Sequence, residues 1–419
     1  MSRHLVILTT VIAMAGCGRV AFDLLSEGDG GSAVDGSPAA DASSVDAVVE
    51  GDAAPMSSCP FPFDPVAPPA MCPHQVIPVG NPAATGGFGS AVTIATAAPP
   101  GRIVSADFDS DGHDDLVIAA SDPVFLFGGP DQMFDRVDGF GYRGFFALAD
   151  ANCDGQVDLL GGSGGCINGQ LVVAINVGGR QFTEQFYSSI CNPKDVVVGD
   201  FDGNGLREAL LGGGGSQFTV HAGNAPGVTC ELGFGFPYPD RMAAVDLDAN
   251  GALDLVAVSF HDAMYALNDG DGGFPAGLQL LASQGAAPLV ADFTSDGVPD
   301  LLVANPSSSS FAVYESHAQF PNRVKTTSSA NPTALAVLDF NDDGNIDVIA
   351  AGEVAAVGTA RVYQGNGDGT FAEVASFQVG LYPVDIATGD FDKDGLADVA
   401  VANFNSSNVT IAFGISGGN

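Results

Sequence analysis

Apolar positions along the chain come in short runs rather than in helical stripes. Leu116-Val117-Ile118-Ala119, Leu255-Val256-Ala257-Val258, Leu301-Leu302-Val303-Ala304 and Val399-Ala400-Val401-Ala402 are compact, partly β-branched and bounded by Gly, Asn or Pro. Runs of this kind are buried strands more often than helices. A second run follows each, such as Val124-Phe125-Leu126-Phe127 or Val409 to Phe413, then a turn such as Gly365 to Phe371 and a third, weaker strand. A fourth leads back to an aspartate, as in Val384-Asp385-Ile386-Ala387-Thr388-Gly389-Asp390. Four short strands per repeating unit predict the blades of a β-propeller.

What punctuates the strands is an acidic loop. Seven segments fit Asp-x-(Asp/Asn/Thr)-x-(Asp/Asn)-Gly-x-x-(Asp/Glu), beginning at Asp107, Asp150, Asp200, Asp246, Asp292, Asp339 and Asp390. They recur roughly every 47 residues, a spacing suited to one blade each. The expected fold is therefore all-β, a seven-bladed propeller. Residues 88–97 align with the third strand after a loop, and only two strands follow the seventh loop. This predicts that 88–97 pairs onto 409–413 and closes the ring, which also removes an open sheet edge.

Oxygen side chains at loop positions one, three, five and nine can converge on one hard cation. The carbonyl at position seven completes the shell, and Gly at position six permits the sharp turn. In the first loop the expected ligands are Asp107, Asp109, Asp111 and Asp115 with the His113 carbonyl. The second offers Asp150, Asn152, Asp154 and Asp158 with Gln156, and the third Asp200, Asp202, Asn204 and Glu208 with Leu206. The fourth has Asp246, Asp248, Asn250 and Asp254 with Ala252, and the fifth Asp292, Thr294, Asp296 and Asp300 with Val298. The sixth has Asp339, Asn341, Asp343 and Asp347 with Asn345, and the seventh Asp390, Asp392, Asp394 and Asp398 with Leu396. Up to seven structural Ca²⁺ ions are expected. An EF-hand begins the same way but needs a bidentate Glu at position twelve and flanking helices. Here position twelve is Ile118, Gly161, Leu211, Ala257, Val303, Ala350 or Val401, none of which can ligate.

Gly365 to Phe371, Leu381-Tyr382-Pro383, Asp390 to Asp398 and Val399 to Asn403 together resemble the FG-GAP/VCBS-type repeat, which also builds the propeller of integrin α chains. The resemblance spans residues 83–416. Phe88-Gly89-Ser90 is similar to the FG element, whereas the GAP element is mostly replaced by Ala-Ala, Gly-Gly or Ala-Asn. It implies Ca²⁺ held structurally by the loops; integrin ligand recognition does not carry over.

Composition narrows the partners. Fifty acidic residues against 13 basic ones give a net charge of −37. That excess repels phosphate backbones and excludes general nucleic-acid binding. At the N-terminus Arg3 and His4 precede an apolar run, Leu5 to Ala13, and then Met14-Ala15-Gly16-Cys17. The run is too short to span a bilayer, and its form is that of a secretory signal. The small residues before Cys17 resemble a bacterial lipobox, which implies cleavage there and lipid on the Cys17 thiol, the only expected contact with a membrane. The expected organisation is a signal at 1–16, a disordered acidic linker at 17–58, a Pro-rich collar at 59–82 and the propeller at 83–419. The location that follows is the cell envelope, at the outer membrane or cell surface.

Six further cysteines in an exported chain favour disulfides. Propeller topology puts Cys166 and Cys191 on one face and Cys153 on the other. The expected pairs are Cys59–Cys72 and Cys166–Cys191, with Cys153–Cys230 left by elimination. No catalytic constellation stands out. Gly161 to Gly165 formally matches a nucleophile elbow but lacks the strand–turn–helix context. His74, His221, His261 and His317 are scattered singly. Trp is absent, which weakens a sugar-stacking reading. The reading is a monomeric, non-catalytic binding, adhesion or scaffold module for a protein or glycan. The alternative is a carbohydrate-active propeller, a polysaccharide lyase or lectin.

Overall fold

The computed structural model describes residues 87–415, apart from 121–122, 139–144, 153, 164–168, 189–192, 202, 204–207, 214–216, 222–228, 232–238, 260–261, 271–272, 284, 322–323 and 342. The expected signal, linker and collar lie outside the described residues. So do Cys17, Cys59, Cys72, Cys153, Cys166 and Cys191, and with them the lipid site and the disulfides. Cys230 is described only by its backbone, in the strand Thr229–Glu231.

The chain forms an all-β β-propeller. Six four-stranded antiparallel sheets are each built from consecutive strands, within 103–138, 145–188, 193–231, 241–283, 286–328 and 332–379. These are blades one to six. In each, the first strand runs into an Asp loop and the second returns beside it. The first strands of neighbouring sheets lie against one another, so they line the axis. This is one consecutive blade fewer than the seven loops predict. The seventh loop belongs instead to a composite sheet, made of Pro383–Gly389, Asp398–Asn403, Asn408–Ala412 and the N-terminal Val92–Ala95. Val92 sits opposite Ile411 and Ala95 opposite Asn408, so the two ends of the described chain share one sheet as the sequence predicts. Gly87–Phe88 adds a short pair with Gly414–Ile415.

Among the described residues the apolar clusters lie between sheets. Phe108, Val117 and Phe125 of blade one pack with Leu148, Leu159 and Val172 of blade two. The last interface sets Ile103, Leu116 and Ile118 of blade one against Phe391, Val409, Ile411 and Phe413 at the composite sheet. Blade six meets that sheet through Ala336, Ile349 and Val362 against Ile386, Val399 and Val401. The ring therefore closes by burial as well as by strand pairing, each sheet supplying half of two hydrophobic interfaces. Ser163 ends the strand Asp158–Ser163 of blade two, and the residues that follow it lie outside the described ones.

Candidate metal loops and the axial cavity

The described Asp loops lie at one end of the innermost strands, each between the first and second strand of its sheet. In loop one, Asp107 Oδ1 accepts the Asp111 amide at 3.1 Å and Oδ2 the Gly112 amide at 2.9 Å. Asp109 Oδ1 also accepts from Asp111, and Asp111 Oδ1 accepts the His113 amide at 2.8 Å. Gly112 sits at φ 87°, and position-six glycines of the other loops at 81° to 88° where described. A side chain there would be strained, so Gly holds the turn that aims the carboxylates inward.

Position nine is different in kind, because it is buried beneath the loop. Asp115 Oδ2 accepts the Phe108 amide and Oδ1 the Gly128 amide, both at 2.8 Å. The pattern recurs at Asp158, Asp254, Asp300, Asp347 and Asp398, each holding the amide of loop position two and one at the end of the third strand. These carboxylates staple the loop to its own blade. Desolvation is the largest influence on them, outweighing the amide hydrogen bonds, and neighbouring loop carboxylates push the same way. The Asp158, Asp300 and Asp347 carboxyls are raised to about 6. Those of Asp115 and Asp254 reach about 7, and that of Asp398 about 8. A group raised this way keeps its proton to higher pH than a free carboxyl, and a bound cation would favour its ionised form.

Three triads bring one carboxylate oxygen per residue within 4.8 Å of one another: Asp107, Asp109 and Asp115; Asp246, Asp248 and Asp254; Asp390, Asp392 and Asp398. Hard oxygen donors converging in this way fit a hard divalent cation. These residues, at positions one, three and nine, would hold Ca²⁺, which would supply charge neutralisation and a cross-link between loop and strand. The position-five side chains fall outside these triads; Asp111, Asp154, Asp296, Asp343 and Asp394 accept the amide of position seven instead. In loops two, five and six, position three is Asn152, Thr294 or Asn341, and Thr294 donates to Asp300 at 3.0 Å. Of loop three, Asp202, Asn204 and Leu206 lie outside the described residues, while Glu208 accepts the Phe201 amide at 2.8 Å as the other position-nine acids do.

Loop one carries its own cation. Arg180, from the hairpin of blade two, donates to Asp109 Oδ2 and to Asp135 Oδ2, both at 2.7 Å, and its guanidinium lies 4.2 Å from the Phe127 ring centre. Loop seven leans on loop one at the ring seam. The amide of Asp390 donates to Asp114 Oδ2 at 2.9 Å, and Lys393 Nζ reaches the Asp111 carbonyl at 2.8 Å.

Sequence reasoning missed a second polar feature, at the opposite end of the innermost strands. Arg102 pairs with Asp195 at 2.5 Å, and Arg241 with Asp385 at 3.1 Å. Backbone amides complete a loop of contacts around the axis: Met242 donates to Asp195 Oδ2 at 2.6 Å and Ile103 to Asp385 Oδ2 at 3.0 Å. Blades one, three and four and the composite sheet are thus tied together across the ring. The signal was present in the register. Arg102, Asp195, Arg241 and Asp385 each stand five residues before the first Asp of their loop, whereas blades five and six carry Ala287 and Ala334 there. Beside the quartet lies a cavity of about 340 Å³, walled mainly by the innermost strands of blades four and five, with residues of blades one and six and of the composite sheet. The apolar position-two residues were also overlooked. Phe108, Phe201, Leu247, Phe293 and Phe391 recur there and are all buried.

Comparison with known proteins agrees with this architecture. Residues 246–303, 292–350 and 339–401 match a family model described as FG-GAP-like repeat. No curated protein matches the chain. Among solved structures, the chain is similar to BBS1N in complex with ARL6DN, soaked with lead, at 11% identity and a TM-score of 0.55, covering 80% of this chain and 98% of that one. A second crystal of the same complex, soaked with mercury, matches at 11% identity and a TM-score of 0.53, over 78% of this chain and 96% of that one. At such identity the likeness concerns the propeller fold.

Proposed function

We propose that this protein is a Ca²⁺-stapled, seven-bladed propeller that is lipid-anchored at the bacterial envelope and acts as a non-catalytic binding or scaffold module. The composite sheet is taken as the seventh blade, because it carries the seventh loop and packs against blades one and six. The observation that carries the reading is the convergence of three carboxylates at the same loop positions in separate blades of an FG-GAP-like repeat propeller. A divalent ion at each triad replaces mutual repulsion with a cross-link, a structural role suited to an extracellular setting. The 17–58 linker would hold the disc away from the lipid attached to Cys17, leaving a flat face for a protein or glycan.

The experiment is expression of the full chain in a bacterial host, with membrane partition, envelope pull-down and a uronate-polysaccharide panel followed by product absorbance. The expected result is a membrane-associated protein released by Cys17→Ala, capture of an envelope component, and no turnover. Ca²⁺-dependent turnover would replace the binding module with a lyase. Recovery of the wild-type chain in the soluble fraction would remove the anchor.

A further inference from the structure

We propose that the axial cavity binds a small organic carboxylate with an apolar body. This gives a ligand to the binding module proposed above and rests on that reading. The cavity's roughly 340 Å³ falls within the size range of small-molecule sites. One side is charged, formed by Arg102, Arg241 and Asp385. The other is mostly apolar, with Leu289, Leu335 and Ile346 among its residues, and Asp292 stands at its loop-five end. It exists because the axial register position is occupied unevenly. Charged side chains occupy it in blades one, three and four and in the composite sheet, and the alanines of blades five and six leave room. The innermost strand of blade five, Ala286–Ala291, is correspondingly half-exposed from Ala286 to Val290, whereas its counterpart in blade six is mostly buried.

The polar wall selects the ligand's charge. Asp385 Oδ2 already accepts from both Arg241 and the Ile103 amide, and Asp195 accepts from Arg102 and the Met242 and Val196 amides. The acids are well supplied with donors. Arg241 is not similarly spent. Its guanidinium has five N–H groups, of which two find partners among the described residues, Asp385 Oδ2 and the Val384 carbonyl, both at 3.1 Å. Its side chain is 22% exposed and lines the cavity. A planar fork with donors to spare is matched best by a carboxylate, and the facing apolar wall calls for a hydrocarbon chain or ring behind it. Inorganic anions would leave that wall wet, and neutral ligands would forgo the charge-assisted bonds.

Thermal melts and calorimetric titrations of the Ca²⁺-loaded full chain test this, with hexanoate and phenylacetate as probes and hexanamide and phenylacetamide as uncharged controls. The carboxylates are expected to raise the melting midpoint and to bind at least about tenfold more tightly than their amides, as a lost charge-assisted pair requires. Filling the cavity from its apolar side with Leu289→Phe, or with Ala287→Leu should the first variant fold poorly, is expected to abolish the shift. Arg241→Lys keeps the charge but not the fork and should weaken binding by about tenfold. No shift with either carboxylate, an equal shift with the amides, or a shift that survives the filled cavity would overturn the proposal. The Ca²⁺-dependent gain is read in the same melts, so a carboxylate failure with that gain intact counts against this proposal alone.

Discussion

Loops six and seven are built on the same scaffold and differ by one acid among the side chains at positions one, three, five and nine. In both, the first Asp holds the amides of positions five and six, through Asp339 at 3.2 and 3.0 Å and Asp390 at 3.0 and 2.9 Å. In both, the buried position-nine acid holds the position-two amide at 2.8 Å and a third-strand amide at 2.7 or 2.8 Å. Position three is Asn341 in one and Asp392 in the other. Only loop seven forms a carboxylate triad, and its buried acid rises to about 8 where that of loop six stops at about 6. Burial contributes most in each case; Asp392 adds repulsion in loop seven that Asn341 cannot. The backbone hydrogen bonds thus make the turn, and the carboxylate at position three decides how strongly it demands a cation.

The largest effect should come from removing what the two loops share. Asp398→Ala strips two buried amides of their acceptor, and Asp347→Ala does the same in loop six. Each should cost about 3 kcal/mol or more, given roughly 1–3 kcal/mol per orphaned buried group. The loss should appear in chemical denaturation with chelator present, and it would be absent if position nine served only as a metal ligand.

Next comes the charge that separates the loops. Asp392→Asn should weaken Ca²⁺ at loop seven, and Asn341→Asp should strengthen it at loop six, each by about tenfold, or about 1.4 kcal/mol. Titration calorimetry on the single variants would read both changes. Equal affinities before and after exchange would place the ion elsewhere.

Acidity offers a finer separation. A carboxyl whose folded value is raised takes up a proton on folding, so its contribution is fully present below its unfolded value near 4 and is lost as pH climbs through the folded value. Without Ca²⁺ the melting midpoint should therefore fall as pH increases, between about 4 and 6 for the Asp347 contribution and on to about 8 for that of Asp398. Asp398→Asn should flatten the upper part of that curve. Saturating Ca²⁺ should flatten all of it, because the ion stabilises the ionised form. A chelated midpoint that rises with pH from 5 to 8 would contradict the assignment.

The smallest effect belongs to loop one, where Arg180 already bonds Asp109. Arg180→Met should cost under about 1 kcal/mol in chelator, as partly exposed ion pairs do, and should tighten Ca²⁺ at loop one. Unchanged affinity there would show that the guanidinium does not compete with the ion.

Much of this could be read from the residues in order. The strands announce themselves as β-branched runs, and the recurrence of Asp-x-Asp-x-Asp-Gly with one partner acid marks the repeat and its loops, though not the number of consecutive blades, since the last sheet borrows an N-terminal strand. The closure of 88–97 onto 409–413 is expected from counting strands after Asp390, and the structure pairs 92–95 with 408–411. What escaped was three-dimensional. Nothing local distinguishes Asp115, buried under two amides, from Asp111, which caps the turn at the surface, because burial depends on the sheet behind the loop. Arg180 meets Asp109 only through the packing of blade two on blade one. The Arg102–Asp195 and Arg241–Asp385 pairs join residues far apart in sequence, and their shared register becomes meaningful only when the innermost strands surround one axis.

The most direct test is titration of the chelator-stripped chain with Ca²⁺, counting bound ions by native mass spectrometry while following the melting midpoint. Several ions per chain are expected, with Asp392→Asn removing one of the tightest and the midpoint rising as sites fill. No bound ion, or a midpoint indifferent to Ca²⁺, would contradict the account.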